Sequence, residues 1–470
     1  MAFGKAKRQQ NANFTEGVLW RQMLAFFFPL VLGSIFQQFY GTIDAIVLGN
    51  FCGTEALAAV GGSTGTIIDL LVGFFVGLSS GATVIISQYY GANSVERVSK
   101  AIHTAIALAI IGAIGLTAIG LFVAPYALQA LGVPDEVYPH ALIYLRIYFA
   151  GIIISLVYNI GSGILRALGD STRPLYFLII CCMTNLILDV VLVAGARLEV
   201  MGAAIATVFA QAVSAVLVLV SLAKTEGAAK LHFKRIRLDF NELKSIVRIG
   251  LPAGIQSMLY TVSNMVIQSS VNSFGTTAAA AWTAYGRLDS MMWMIVNAFG
   301  IVITTFVGQN FGAQQYARMR KVVRTGLLMT GGSILVIGWT IVLIGKYVLL
   351  LFSKDPAVIA QGEEIINSIM PFFITFVGIE VFSSTTRGTG DTVIPMLMTC
   401  GGVCAMRLAW IFFILPLNNT LSMLMTCYPI TWGITSTMFI IYYLHGGWLR
   451  RRIKANGYAP EIREKKVKNA

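Results

Sequence analysis

The chain has 470 residues, of which 56% are hydrophobic and 12% charged, and its mean hydropathy is +0.75. Soluble domains carry about 25% charged residues because their surface must be solvated, so a water-soluble globule is excluded and most of this surface has to face lipid. The net charge of +13 is accounted for by membrane topology, not by a nucleic-acid surface.

A polar stretch, 1–23, opens the chain with Lys5, Lys7 and Arg8. No A-x-A-like cleavage site follows the first apolar run, so no signal peptide is expected to be removed. Apolar runs then fall at 24–48, 56–86, 101–124, 139–165, 174–196, 201–223, 246–272, 278–306, 322–345, 361–385, 393–416 and 420–445. They are long and continuous, where membrane strands would alternate over roughly ten residues. The expected fold is therefore all-α and integral to the membrane, with twelve transmembrane helices in two six-helix bundles. The N-lobe is 24–223, a cytoplasmic linker 224–245, the C-lobe 246–445, and a basic tail 446–470, within which Arg450 to Lys468 is read as a disordered anchor to anionic headgroups. Six cysteines sit almost wholly in apolar runs without ligand spacing and read as packing residues.

Lys and Arg sort sharply by connection. Arg197, Lys346 and Lys354 are the three on one side, and Arg146, Arg287 and Arg407 fall within spans; the other 28 lie on the opposite side. By the positive-inside rule both termini are expected in the cytoplasm, in a multi-pass protein of the cytoplasmic membrane.

Self-comparison reveals a repeat. Ser87-Gln88-Tyr89-Tyr90-Gly91-Ala92 matches Gly308-Gln309-Asn310-Phe311-Gly312-Ala313, and Arg166-Ala167-Leu168-Gly169-Asp170 matches Arg387-Gly388-Thr389-Gly390-Asp391, both at an offset of 221. Pro29 pairs with Pro252 at 223. Six spans per repeat make the halves parallel, two bundles facing one another across a central cleft whose access can alternate. Asp170 and Asp391 are placed to cap the helices that follow their turns.

Charge within a span costs about 2.5–3.5 kcal/mol even on a lenient scale, so each such residue asks for a reason. Gln37, Tyr40 and Asp44 share a face of the first helix, and Asn185 and Asp189 a face of the fifth. The sixth adds Thr207. At 1.5 Å per residue, Asp189 lies about 22 Å from the cytoplasmic start of its helix, Asp44 about 30 Å from its own, and Thr207 about 9 Å in from the outer turn. All fall in the outer half, forming either an oxygen-rich pocket for H⁺ or Na⁺ or a network that only holds helices together. The second repeat has Met406 and Trp410 where the first has Asn185 and Asp189. Its seventh span instead carries Gln256, Tyr260, Asn264 and Gln268 at steps of four, which line the cleft or glue helices. Glu380 is a candidate partner for Arg407, and Asp69, Arg287 and Asp289 could pair between lobes or sit near the cleft. No H-E-x-x-H, Walker A or G-x-S-x-G pattern is present, so neither an enzyme nor an ATP-driven pump is indicated and no cofactor is expected beyond the coupling ion.

The two repeats, the paired Gln-x-x-Gly motifs and the doubled Arg-x-x-Gly-Asp turns resemble the multidrug and toxic compound extrusion (MATE) family over 24–443. The resemblance implies a V-shaped, two-lobed antiporter that expels amphipathic, often cationic drugs or metabolites in exchange for H⁺ or Na⁺. One branch of that family binds its cation in the N-lobe, and Asp44, Asn185, Asp189 and Thr207 match its site, with Tyr40 one turn before. Gln37, Tyr40, Gln256, Tyr260 and Asn264 are the expected substrate cleft. Expected partners are a small amphipathic molecule and the bilayer, not nucleic acid, with the protein a monomer. The alternative is a lipid-linked saccharide flippase of the same superfamily, which would need a wider cationic cleft.

Overall fold

The structure, a computed structural model, describes residues 14–459, which are all helix and connection. Lys5, Lys7, Arg8 and the end of the basic tail lie outside the described residues. The helices are α1 (Leu19–Phe51), α2 (Gly53–Gly91, stepped at Gly62), α3 (Val95–Ala130), α4 (Tyr138–Ala150 with Ile152–Ala167), α5 (Thr172–Gly195), α6 (Glu199–Lys224), α7 (Phe240–Asn272), α8 (Thr276–Gly312), α9 (Tyr316–Leu349), α10 (Pro356–Gly388), α11 (Val393–Leu417), α12 (Leu421–His445) and the short α13 (Gly447–Ala455). Ten are long and apolar enough to cross a bilayer, and α4, whose halves meet at 52°, makes eleven. Of the first twelve, α7 alone falls outside that test. It is 33 residues long but carries the Gln256 to Gln268 stripe, which a helix tolerates where protein or water faces it. Large apolar side chains such as Phe28, Ile114, Phe122, Leu328 and Leu343 stand exposed on the outside, as lipid for a solvent requires.

The two repeats form two lobes, α1–α6 and α7–α12, which exchange helix ends. Met23, Phe26, Phe27 and Leu30 of α1 join the core of the second lobe, while Ile246 and Ile249 of α7 join the core of the first. Phe27 stacks on Phe299 of α8 at 4.1 Å. Farther along, Gly33 of α1 packs against Leu178 of α5, so α1 is held by one lobe at its start and by the other beyond it. Pro29 and Pro252 lie at or next to the crossing ends, inside their helices. Each removes one intrahelical hydrogen bond. At Pro252 the carbonyl so released, that of Arg248, accepts from Thr392 Oγ1 at 3.4 Å.

Between the lobes the backbones touch. A Cβ on Gly77 or Gly81 would overlap the α7 backbone, one on Gly91 that of Gln309, and one on Gly312 that of Gln88. Small residues permit such an approach where lipid offers no hydrophobic drive to helix pairing. Across the same seam Gln88 Nε2 donates to the Gly388 carbonyl at 2.8 Å and Gln309 Nε2 to the Ala167 carbonyl at 2.9 Å. Donors and acceptors are both related by the 221-residue offset, so the doubled motif is a reciprocal clasp. The sequence located the motif; its role needed the partner carbonyls, which lie about 300 and 142 residues away.

The clasp lies at the face where both ends of the described chain meet, here called the basic face. Phe14 is buried and stacks on Phe306 at 3.8 Å. Arg318 donates to the carbonyls of Phe14, Glu16 and Gly17 at 2.9, 2.7 and 3.0 Å. The end of the expected polar tail is thus strapped over the second lobe. The expectation of disorder from Arg450 onward is corrected as far as Ala455: α13 is helical, because Trp448, Leu449 and Ile453 make an apolar side that buries while Arg450 and Lys454 stay outside. Asp170 caps α5, accepting from the Thr172 and Arg173 amides at 2.9 and 3.0 Å. Asp391 does not cap α11; it accepts from Tyr442 Oη at 2.6 Å, since α12 brings a phenol within its reach.

The linker is docked on α3. Ala229 and Leu231 enter the first lobe's core. His232 N–H donates to His103 Nε2 at 3.0 Å, and His103 Nδ1–H donates to the Ser99 carbonyl at 2.7 Å, so this geometry needs a neutral His103. His232 itself stays exposed, and partial desolvation against the docked surface, with the charges of Arg235 and Lys230, holds it below its ordinary value.

Two outcomes are expected. A docked His232 with a lowered pKa favours the neutral ring, so docking is unpenalised at neutral pH and weakens as pH falls below about 6.5. Amide exchange across 226–239 should therefore speed up in acid, and His232→Asn, which keeps the backbone donor to His103, should remove only the part of that response due to the His232 ring. Gly312→Leu should overpack the seam by roughly 1–3 kcal/mol, shifting lobe closure about 5- to 150-fold. Spin labels on the exposed Val95 and Gln315 should then report a longer distance across the basic face.

Candidate functional site

Four side chains foreseen in the sequence meet inside the first lobe. Asp44 is 6% exposed, Asn185 and Asp189 0%, and Thr207 2%. They converge because α1 and α6 both pack on α5, and the 3.6-residue turn puts Asn185 and Asp189 on the same side of it. Asp44 interacts with Asp189, Asn185 and Thr207, and Tyr40, one turn before it on α1, reaches Thr207. Just past Asp189 the α5 helix widens into a π-helical turn, Val190–Gly195, an irregularity frequent at functional sites.

The cage is under-satisfied. Among the described residues, Tyr40 Oη, Asp44 Oδ1, both amide atoms of Asn185, both carboxylate oxygens of Asp189 and Thr207 Oγ1 are buried without a hydrogen-bond partner. Leaving such a group unpaired costs about 1–3 kcal/mol, more when it is charged. Six of these seven atoms are oxygens, and no Lys or Arg forms a salt bridge with either acid among the described residues. A hard cation or a proton would satisfy what the fold leaves open.

Beside the cage, between the lobes, lies a cavity of about 770 Å³. Gln37, Tyr40 and Asp69 line it from the first lobe; Gln256, Tyr260 and Glu380 do so from the second. Tyr40 therefore belongs to both cage and cavity. Arg166 and Arg387, equivalent in the two repeats, also face it.

Other expectations divide. Asn264 is not on the cavity wall; its Oδ1 accepts from Arg407 Nη1 at 3.4 Å. Glu380 does not pair with Arg407. It accepts from Ser384 at 3.0 Å and faces Arg387, two turns on in α10, because the i, i+7 spacing keeps both on the cavity side. Asp289 accepts from Tyr285 Oη at 3.0 Å and Trp293 Nε1 at 2.9 Å, and Arg287 is exposed, so neither forms an ion pair between lobes. Asp69 is on the cavity wall. Arg166 and Arg387 were visible in the doubled turn motif, but nothing in the sequence showed that they look inward.

With this geometry in place, the comparisons with known proteins are specific. The MatE family model matches residues 29–191 and 252–413, once per lobe. The chain is 30% identical over 380 residues to the probable multidrug resistance protein YpnP of Bacillus subtilis (strain 168), covering 80% of this chain and 84% of that one. It is 26% identical to the probable multidrug resistance protein YoeA of the same organism, across 93% and 95%. A solved outward-facing conformation of a multidrug resistance MATE family transporter of the MOP superfamily superposes with a TM-score of 0.85, covering 95% of this chain and 98% of that one at 20% identity. This chain belongs to the multidrug and toxic compound extrusion family. It is a multi-pass membrane protein whose relatives are transporters.

Filling of the cage by a cation would have a distinct consequence. Asp189→Leu should leave thermal stability equal or higher when no cation is supplied, since an unpaired buried acid is replaced by apolar bulk. The same variant should lose any rise in melting temperature that Na⁺ or acidification gives the wild type, as read by a thermal-shift titration in detergent.

Proposed function

We propose that the protein is a cation-coupled antiporter, driven by H⁺ or Na⁺, that exports amphipathic and often cationic small molecules across the cytoplasmic membrane by alternating access. The observation that carries this reading is the cluster of unpartnered atoms on Tyr40, Asp44, Asn185, Asp189 and Thr207, one helix face away from a cavity shared by both lobes. The basic face is taken as cytoplasmic from its Lys and Arg, so the seam seals the inner side and the cavity belongs to an outward-facing state.

Coupling follows from α1. Cargo occupies the cavity while the carboxylates are unloaded; a cation arriving from outside then draws α1 at Asp44 toward α5 at Asp189. Tyr40 is on the same helix face, so the cavity wall moves with it and cargo affinity falls. Pro29, close to where α1 passes from the second lobe's core into the first, gives the helix a place to bend. One positive charge moving inward contributes about 2.3 kcal/mol per 100 mV when the exchange is electrogenic. Protein reconstituted as a monomer is sufficient for the cycle, because cage and cavity lie within one chain.

A saccharide flippase is less well supported. Arg146 and Arg287 are exposed, and Arg407 is buried in the second lobe. None of the three lines the cavity, and Asp69 and Glu380 offset Arg166 and Arg387 there.

The test is efflux of a cationic dye from proteoliposomes with a proton or a sodium gradient imposed alone. One gradient should drive wild-type export, and Asp44→Asn, inserted and folded, should fall to background. Wild-type efflux by Asp44→Asn would remove the cage from the mechanism, and efflux without either gradient would remove cation coupling.

A further inference from the structure

The second lobe has no acidic cage, yet the equivalent place is not apolar. Arg407 is 1% exposed there. Its guanidinium carbon lies 4.1 Å from the Tyr428 ring centre and 5.8 Å from that of Trp432. Nη1 donates to Asn264 Oδ1 at 3.4 Å, while Nε and Nη2 find no partner among the described residues. The helices involved are α11, α12 and α7, the repeat counterparts of α5, α6 and α1 that build the cage.

The register agrees to within one residue on each helix. Tyr428 is 221 positions after Thr207. Arg407 falls between Met406 and Trp410, the counterparts of Asn185 and Asp189. Asn264 is 223 positions after Gly41, the residue following Tyr40, by the offset that relates Pro29 to Pro252. Asp289 feels the charge of Arg407, but both its oxygens are already engaged by Tyr285 and Trp293. The nearest partners of the guanidinium are thus ring faces, with Asp289 acting on it only through its charge, and the ring attraction strengthens when the cation is desolvated.

We infer that Arg407 is a tethered cation: in the second lobe its side chain occupies the place that a mobile cation takes in the first. The inference rests on the cage reading above for its comparison, and it adds what the second lobe does. A guanidinium stays protonated at every accessible pH, so this lobe cannot unload. Its fixed charge repels a second coupling ion, and α7, α11 and α12 are held permanently in the arrangement that α1, α5 and α6 reach only when loaded. The first lobe switches and the second acts as its stator. Arg407 is a positioning residue in this scheme.

Chemical rescue tests it. Arg407→Ala removes the guanidinium and leaves a space of its shape. Dye efflux should fall about tenfold or more, with a lower melting temperature; added methylguanidinium should restore both, while urea, similar in shape but neutral, should restore neither. Equal rescue by urea, absence of rescue in folded protein, or unimpaired efflux without any addition would overturn the inference. Where Arg407→Ala does not fold, Arg407→Lys and Arg407→Met serve: Lys should retain efflux and Met lose it, and equal behaviour of the two overturns the inference. The cage reading fails by a separate signal, a cation-dependent melting shift that persists in Asp44→Asn, and methylguanidinium rescue at Arg407 is read independently of it.

Discussion

In a bilayer no solvent reaches a polar group that the fold leaves over, so every buried donor and acceptor must be met from within the protein or by something it binds. Much of this molecule can be traced to that constraint. Gln88 and Gln309 reach across the seam to carbonyls at the ends of α10 and α4. Thr392 meets the carbonyl that Pro252 sets loose. Tyr285 and Trp293 take both oxygens of Asp289. Against this thrift, the cage in the first lobe stands out because six buried oxygens, on Tyr40, Asp44, Asn185, Asp189 and Thr207, are left there without a hydrogen-bond partner among the described residues.

The cage is joined to both lobes by one helix. The lobes exchange helix ends, so α1 is anchored at its start in the second lobe and carries Asp44 far inside the first. A change at Asp44 is therefore transmitted along a helix that both lobes hold. Backbone contact at Gly91 and Gly312 leaves no slack between the lobes. The symmetry is that of the repeat, but the chemistry is not: one lobe offers unpaired oxygens, the other a guanidinium on aromatic faces.

Much of this was legible without coordinates. Long apolar runs, the sorting of Lys and Arg and the 221-residue repeat define two parallel helical lobes, because lipid imposes length and hydropathy on any chain that crosses it. Asp44, Asn185, Asp189 and Thr207 were legible for a related reason: an acid in such a run is costly enough to be conspicuous. Arg407 was conspicuous too, but the sequence offered it Glu380 as partner, whereas the fold turned Glu380 toward Ser384 and Arg387 and gave Arg407 to Tyr428. Opposite charges are visible in a sequence, and ring faces at cation–π distance are not. The bend in α4 and the helix at 447–455 were missed because the first lies inside an unbroken apolar run and the second is short and strongly basic.

The sequence by itself determined that this is a membrane protein of two repeated helical bundles with a few acids where acids are expensive, since those properties follow from local composition and spacing. Only the tertiary structure decided which of those groups face each other, that the doubled Gln-x-x-Gly motif clasps the lobes, and that the tail ends are strapped to the second lobe. The reason is physical: hydropathy and periodicity act along the chain, but a hydrogen bond, a ring face or a backbone contact between residues hundreds of positions apart exists only once helices have chosen their neighbours.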